Sequence, residues 1–271
     1  MSLPISLEHF GQALARHIRP ATFPVAVRMA RAGEPLPPRV KRPWRDLGIK
    51  VAICQAVAFA RRYGWAMAVG EEDLSCPLAK AVFGFAPMLD YYEEGHACAG
   101  MYTATAQAGA ATEAAVAKFP HQAYELLLAA PLHRTAFEPH VIIIYGNSAQ
   151  VMRLVTAALW KTGGRLTSSF SGRIDCSDSV IVPLQSQKPE VILPCYGDRV
   201  FAQTQDDEMA FALPASWMAD IVEGLEGTHK GGIRYPIPNW LRYTGQFPAH
   251  YEKMNDLWAK MEEGEKAPEH A

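Results

Sequence analysis

Four cysteines offer the most distinctive chemistry in this chain: Cys54, Cys76, Cys176 and Cys195. Thiolates ligate iron, zinc and iron–sulfur clusters, and a thiolate of lowered pKa is a nucleophile. Cys54 sits in an apolar run, Ile53-Cys54-Gln55-Ala56-Val57, near a helix start. Cys76 ends Glu71-Glu72-Asp73-Leu74-Ser75-Cys76-Pro77, where the proline marks a helix N-terminus whose free N–H groups favour a thiolate. Cys176 closes Ser171-Gly172-Arg173-Ile174-Asp175-Cys176, and Cys195 lies in Leu193-Pro194-Cys195-Tyr196-Gly197-Asp198-Arg199, just past a strand end. These four contain no Cys-x-x-Cys pair, so each ligand comes from a separate element and the fold must make them converge. The plainer alternative is four buried cysteines acting as small hydrophobes, the usual state of a free thiol. Cys98 and His96, in Gly95-His96-Ala97-Cys98-Ala99-Gly100, are weaker ligand candidates.

Two acidic clusters accompany the thiols. Glu71, Glu72 and Asp73 precede Cys76, and Asp206, Asp207 and Glu208 follow Cys195. Either supplies a general acid or base if it is buried in a cleft, and otherwise forms a solvated turn or cap. Arg173 and Arg199 stand near cysteines, where a guanidinium holds a carboxylate or phosphate, offsets a thiolate-bound cluster, or pairs with Asp175 or Asp198. A second reading therefore makes Cys195, Asp198 and Arg199 the centre of a non-redox enzyme or small-molecule site, with Glu72 and Asp73 as further catalytic candidates. A third reading is an accessory subunit without chemistry of its own. Gly163-Gly164 and Gly231-Gly232 match neither phosphate-loop pattern, and Gly-x-Ser-x-Gly and His-Glu-x-x-His are absent.

The elements that must position these groups alternate. Apolar residues at helical spacing predict an N-terminal helix over 7–18, followed by a strand over 23–29. Residues 31–45 hold four prolines and read as a loop or flap. A helix over 49–63, a strand over 65–69 and a short helix over 77–83 follow. The Ala-rich stretches 103–118 and 123–128 read as helices. The clearest strand is 140–145, a continuous apolar run that predicts burial on both faces. Gly146-Asn147-Ser148 reads as turn and cap before a helix over 149–161. Segment 177–183 reads as a short helix or an extended piece. Strands at 191–193 and 209–213, a helix over 214–225 capped by Gly227, and a polar helix over 251–262 complete the chain. Its last few residues are expected to be disordered.

The order of events repeats: strand, long helix, glycine turn, then a cysteine after an acidic residue, at Cys76 and again at Cys176. The fold class expected is α/β or α+β, with two duplicated halves and a site between them. The division expected is a helix at 1–20, a first half over 21–135, a second over 136–228 and an extension over 229–271.

Composition narrows the function. The chain has 271 residues, 49% hydrophobic and 20% charged, with a net charge of −2. That balance implies no basic face and so no nucleic-acid partner. No apolar run nears the roughly 18 residues a membrane span needs. The N-terminal residues lack the pattern of a secretory leader, so a cytoplasmic location with reduced thiols is expected. The odd count of five cysteines also argues against a disulfide framework.

The cysteine contexts together resemble the uncharacterised ArCR family, a family of unknown function common in archaea and anaerobic bacteria. The similar stretches are Ile53-Cys54-Gln55-Ala56-Val57, Glu72-Asp73-Leu74-Ser75-Cys76-Pro77 with Gly84-Phe85, and Gly163-Gly164 leading to Ser169-Phe170-Ser171-Gly172 and Cys176. The most specific is Pro194-Cys195-Tyr196-Gly197-Asp198-Arg199 with Thr204-Gln205-Asp206-Asp207-Glu208-Met209 and Pro214. The resemblance spans most of 20–225 and implies that the four thiols act as a set, whereas Cys98 stands outside it. It implies no activity. The expectation is an iron–sulfur cluster, 4Fe–4S in type, or another metal, on Cys54, Cys76, Cys176 and Cys195. It would serve redox or ligand chemistry in anaerobic metabolism, with a redox partner or small-molecule substrate and a possible homo-oligomer.

Overall fold

In a computed structural model the described residues are 3–238 and 244–265. The chain divides into two units, residues 1–237 and residues 238–271. In the first, the elements run α1 (Leu7–His17), β1 (Val25–Ala30), α2 (Pro43–Leu47), α3 (Ile53–Tyr63), β2 (Met67–Val69), α4 (Pro77–Val82), α5 (Asp90–Glu93) and α6 (Ala106–Ala115). There follow β3 (Leu126–Pro131), β4 (Val141–Asn147), α7 (Ser148–Ala158), a π-turn (Ser177–Ile181), α8 (Val182–Ser186), β5 (Glu190–Ile192), α9 (Tyr196–Ala202), β6 (Glu208–Pro214) and α10 (Met218–Lys230). The second unit holds α11 (Ala249–Glu265), whose Tyr251, Met254, Trp258 and Met261 are exposed at helical spacing.

All six strands join one sheet in the order β2-β3-β1-β4-β6-β5, and every neighbouring pair is antiparallel. The class is therefore the α+β form of the expected pair. β4 is buried along nearly its whole length, as its unbroken apolar run requires. Asn147 caps α7 by accepting from Gln150 N at 2.9 Å, and the Gln150 side chain returns the bond to Asn147 N at 2.8 Å. Side chains alternate between the two faces. Val25, Val27, Ile143 and Ala212 pack with α3 and α4, whereas Ala26, Ile142, Ile144 and Leu213 pack with α1, α7 and α10.

Three expectations need correction. Residues 123–128 are not a helix: Leu126–Pro131 form β3, paired on both sides by β1 and β2. Leucine and alanine favour helix locally, but two strand partners outweigh that preference. Gly227 does not cap its helix, since α10 continues to Lys230. Instead Gly224 and Gly227 let α10 approach Ala157 and the Trp160 ring so closely that a Cβ at either place would collide with them. The duplication is not shown. The strand order reads alike from either edge, but antiparallel β1 and β4 can be exchanged only by an axis normal to the sheet, which keeps each face in place. α3 and α7 lie on opposite faces, so that axis does not relate them. The expected disorder of the last residues falls outside the described part of the chain.

Both sheet edges are short and occupied. Beside β2, Lys41 donates its N–H to Ala66 O and accepts from Ala68 N, each at 2.9 Å. Beside β5, Ser168 Oγ accepts from Val191 N at 2.9 Å.

Candidate functional site

The structure gathers the four thiols on the α3 face of the sheet. Two short backbone bonds bring the first pair of segments side by side: Val51 N donates to Asp73 O at 2.8 Å, and Ser75 N donates to Val51 O at 2.9 Å. The chain then enters α3 with Cys54 as its second residue and α4 with Cys76 as its N-cap. Cys176 precedes the π-turn, after Ile174 has turned through a left-handed φ of 54°. Cys195 is the N-cap of α9, which packs against α3. Each thiol thus sits in the first turn of a helical segment, and each is only partly buried.

The four thiols lie within range of one another's charge. Burial, then Asp198 and Asp175, then Cys195 and Cys76, push the Cys54 thiol well up. Burial and Asp175, followed by Cys76, Cys195 and Cys54, do the same to Cys176. Burial and Asp175 raise Cys195 to about 12. Among the described residues, no three His, Cys, Asp or Glu side chains converge on the point a single metal ion would occupy. The thiols of one tetrahedral zinc stand roughly 3.8 Å apart, given bonds of ~2.3 Å.

Two carboxyls belong to the same site. Asp175 and Asp198 are both buried. Tyr145 Oη donates to Asp198 Oδ2 at 3.2 Å, while Asp198 Oδ1 has no hydrogen-bond partner. Burial raises both acids, and the nearby Asp198 helps to bring Asp175 to about 8. The Tyr145 ring lies under Arg61, whose guanidinium carbon is 3.9 Å from the ring centroid. Arg61 is itself fixed by Glu208, with Nη1 donating to Oε1 at 2.8 Å, and by Thr204 at 3.0 Å.

The other sequence candidates separate clearly. Asp73 is buried but structural: it accepts from Arg42 Nε at 2.7 Å, Trp44 N at 3.1 Å and Gly70 N at 3.1 Å. Glu72 is exposed, as are Glu71, Asp206 and Asp207. Glu208 serves Arg61 and Arg62. Arg199 does not pair with Asp198; it donates to Gln205 O at 2.5 Å. Arg173 does not pair with Asp175 but with buried Glu113 of α6, and it lies 4.9 Å from the Tyr102 ring centroid. Cys98 is fully buried, and His96 is exposed beside Glu94. Sequence reasoning missed Tyr145, Arg61 and Glu113, and gave Asp175 no role beyond a salt bridge. Only the unbroken apolar run around Tyr145 hinted that its hydroxyl needed a buried partner. Cys195 does lie just past a strand, β5, but that strand does not hold it in place. The helix α9 behind it, hidden by Pro194 and Gly197, is what positions the thiol.

Among the described residues, no helix is long and apolar enough to cross a membrane. Comparison with known proteins finds a match to an uncharacterised protein of Methanocaldococcus jannaschii, 34% identical over 121 residues. That match covers 44% of this chain and 52% of the relative, so the chain spans about half the length of the curated relative it matches. No solved structure matches. The family described as uncharacterised ArCR matches residues 13–224, the stretch that contains all four thiols and both buried carboxyls. The chain belongs to the uncharacterised ArCR family.

Proposed function

We propose that Cys54, Cys76, Cys176 and Cys195 hold an iron–sulfur cluster of the 4Fe–4S type, in a cytoplasmic protein of redox or anaerobic metabolism. One observation supports this reading: four cysteines far apart in sequence lie on one face, near enough that Cys76 and Cys195 disfavour ionisation of Cys54 and Cys176. Four partly buried thiols beside two buried carboxyls make a poor anionic site by themselves. A positively charged inorganic core reverses that balance, because coordination removes the thiol proton outright. The residues present fit such a group in number, type and setting. When bound, it supplies one-electron transfer or an iron that accepts a ligand.

The chain's own residues have separate tasks. The four thiols ligate. Tyr145 holds the Asp198 carboxyl through Oδ2 and leaves Oδ1 free beside Asp175. Arg61, stacked on Tyr145 and anchored by Glu208, fixes that ring and places a positive charge behind it. The alternative of a nucleophilic Cys195 with Asp198 and Arg199 is less well supported. A nucleophilic cysteine needs a lowered pKa, whereas this one is raised to about 12, and Arg199 is turned toward Gln205.

The test is purification without oxygen, followed by a visible spectrum and assays for iron and acid-labile sulfide. A coloured protein that loses both in each of the four Cys→Ser variants is the expected result. Colourless, iron-free protein from an anaerobic preparation defeats the proposal.

A further inference from the structure

Apart from the thiols, a groove of about 1080 Å³ opens where α1, the loop to β1, the end of α3 and the segment after β3 meet. Its volume lies just above the usual range of about 300–1,000 Å³ for small-molecule sites. Leu7, Leu14 and Leu132 give it an apolar lining. Phe23 and His133 form a tilted ring pair on its wall, with centroids 4.6 Å apart, and Phe23 is 42% exposed. Burial and Arg134 lower the pKa of His133, so the pair presents flat, uncharged rings.

Charge on the wall is mostly positive. Arg19, Arg61 and Arg62 line the groove, with Glu8 as their acidic companion. Arg61 and Arg62 share a single carboxylate, Glu208, and Arg62 Nη2 also donates to Gln203 O at 2.7 Å. Arg19 forms no ion pair among the described residues.

The backbone at Arg19 adds an independent sign. It follows the C-cap Ile18 of α1 with φ at 54°, in the left-handed region where a helix end ordinarily uses glycine. Its N–H donates to Leu14 O at 2.9 Å, and Gln150 Nε2 donates to both Ile18 O and Arg19 O at 2.9 Å. The fold therefore holds an arginine in a conformation that costs a side-chain-bearing residue, at the edge of the groove.

We propose that this groove binds a phosphorylated, ring-bearing small molecule of nucleotide size, with Arg19 and Arg62 on the phosphates and the ring against Phe23 and His133. Two guanidinium groups suit a polyphosphate, because each can make paired, charge-assisted bonds to its oxygens. The apolar lining and ring pair suit the flat body. The proposal does not depend on a cluster at the thiols.

The test is calorimetric titration of the full chain with adenosine, guanosine, cytidine and uridine diphosphates, alongside adenosine and inorganic pyrophosphate. At least one nucleoside diphosphate should bind tighter than both controls. Arg19→Gly should weaken it roughly tenfold to hundredfold, the loss of a charge-assisted bond. The same variant should melt at an equal or higher temperature, since glycine suits the left-handed backbone, and its iron content should match the parent protein. Phe23→Ala should weaken the diphosphate more than pyrophosphate. Diphosphates that bind no better than the controls, or undiminished binding in Arg19→Gly, would overturn the assignment.

Discussion

The two faces of the sheet bury their polar groups differently. On the α7 face, Arg153 is fully buried without an acidic partner; it donates to Thr228 Oγ1 at 2.7 Å and Leu225 O at 3.3 Å. Both partners belong to the last turns of α10, whose carbonyl end favours a cation. On the α3 face, Asp175, Asp198 and four thiols lie together, with Arg61 committed to Glu208. On the first face Gln150 is held by Ile18 O and Arg19 O, while Arg153 Nε and His17 Nδ1 lack partners. On the second face, an unpartnered Asp198 oxygen and thiols of raised pKa remain. The contrast is between a buried cation held by hydroxyl and carbonyl groups and buried acids beside thiols, where we propose the cluster.

Variants on each face can break or sharpen that contrast. The largest effect is expected from Cys→Ser at position 54, 76, 176 or 195: all iron and sulfide are lost from anaerobic protein. The metal-free protein should change in stability by only on the order of 1 kcal/mol. Cys98→Ser should retain full iron, so loss there would undo the distinction between this buried cysteine and the set. Next, Leu154→Ala on the α7 face should cost about 2–5 kcal/mol in denaturant unfolding, with iron per folded molecule unchanged, because Leu154 is almost wholly buried in that core. Asp73→Ala should cost roughly 1–3 kcal/mol, since Trp44 N, Gly70 N and Arg42 lose their acceptor. A complete loss of iron in Asp73→Ala at retained fold would instead place it in the site.

The smallest effect lies at His140, at the strand end between the faces. Its Nδ1 accepts from Met29 N at 3.2 Å, and burial, aided by Arg28 and Arg31 and opposed by Glu34, lowers its pKa from 6.5. The folded state then binds fewer protons than the unfolded state below that value. Its contribution is present above pH 6.5 and is lost as pH falls through the lowered pKa. Unfolding curves of His140→Gln should show a shallower acid decline than the parent protein. An unchanged slope would show that His140 does not contribute to it.

Local patterns made part of this legible. The run Val141-Ile142-Ile143-Ile144 announces a strand buried on both faces, and Asn147 announces the cap of α7. Pro77 marks the helix that Cys76 opens. What stayed hidden depends on partners distant in the chain. Asp198 was matched with its neighbour Arg199, but its hydroxyl donor is Tyr145; Arg173 was matched with Asp175, but its carboxylate is Glu113. Nothing local distinguishes a carboxyl that will be buried from one that will be solvated, because burial is decided by which elements pack above it. The same holds for β3, whose leucines and alanines became strand only between β1 and β2.

The blunted sheet edges bear on how this protein assembles with others. A sheet grows across chains when an edge offers a row of open N–H and C=O groups. Here β2 and β5 are three residues each, and Lys41 and Ser168 already satisfy backbone groups along them. Continuous β-augmentation finds no template on either side. A partner protein, or a second copy of this one, must then recognise side chains on helices and loops, where selectivity is set by shape and charge.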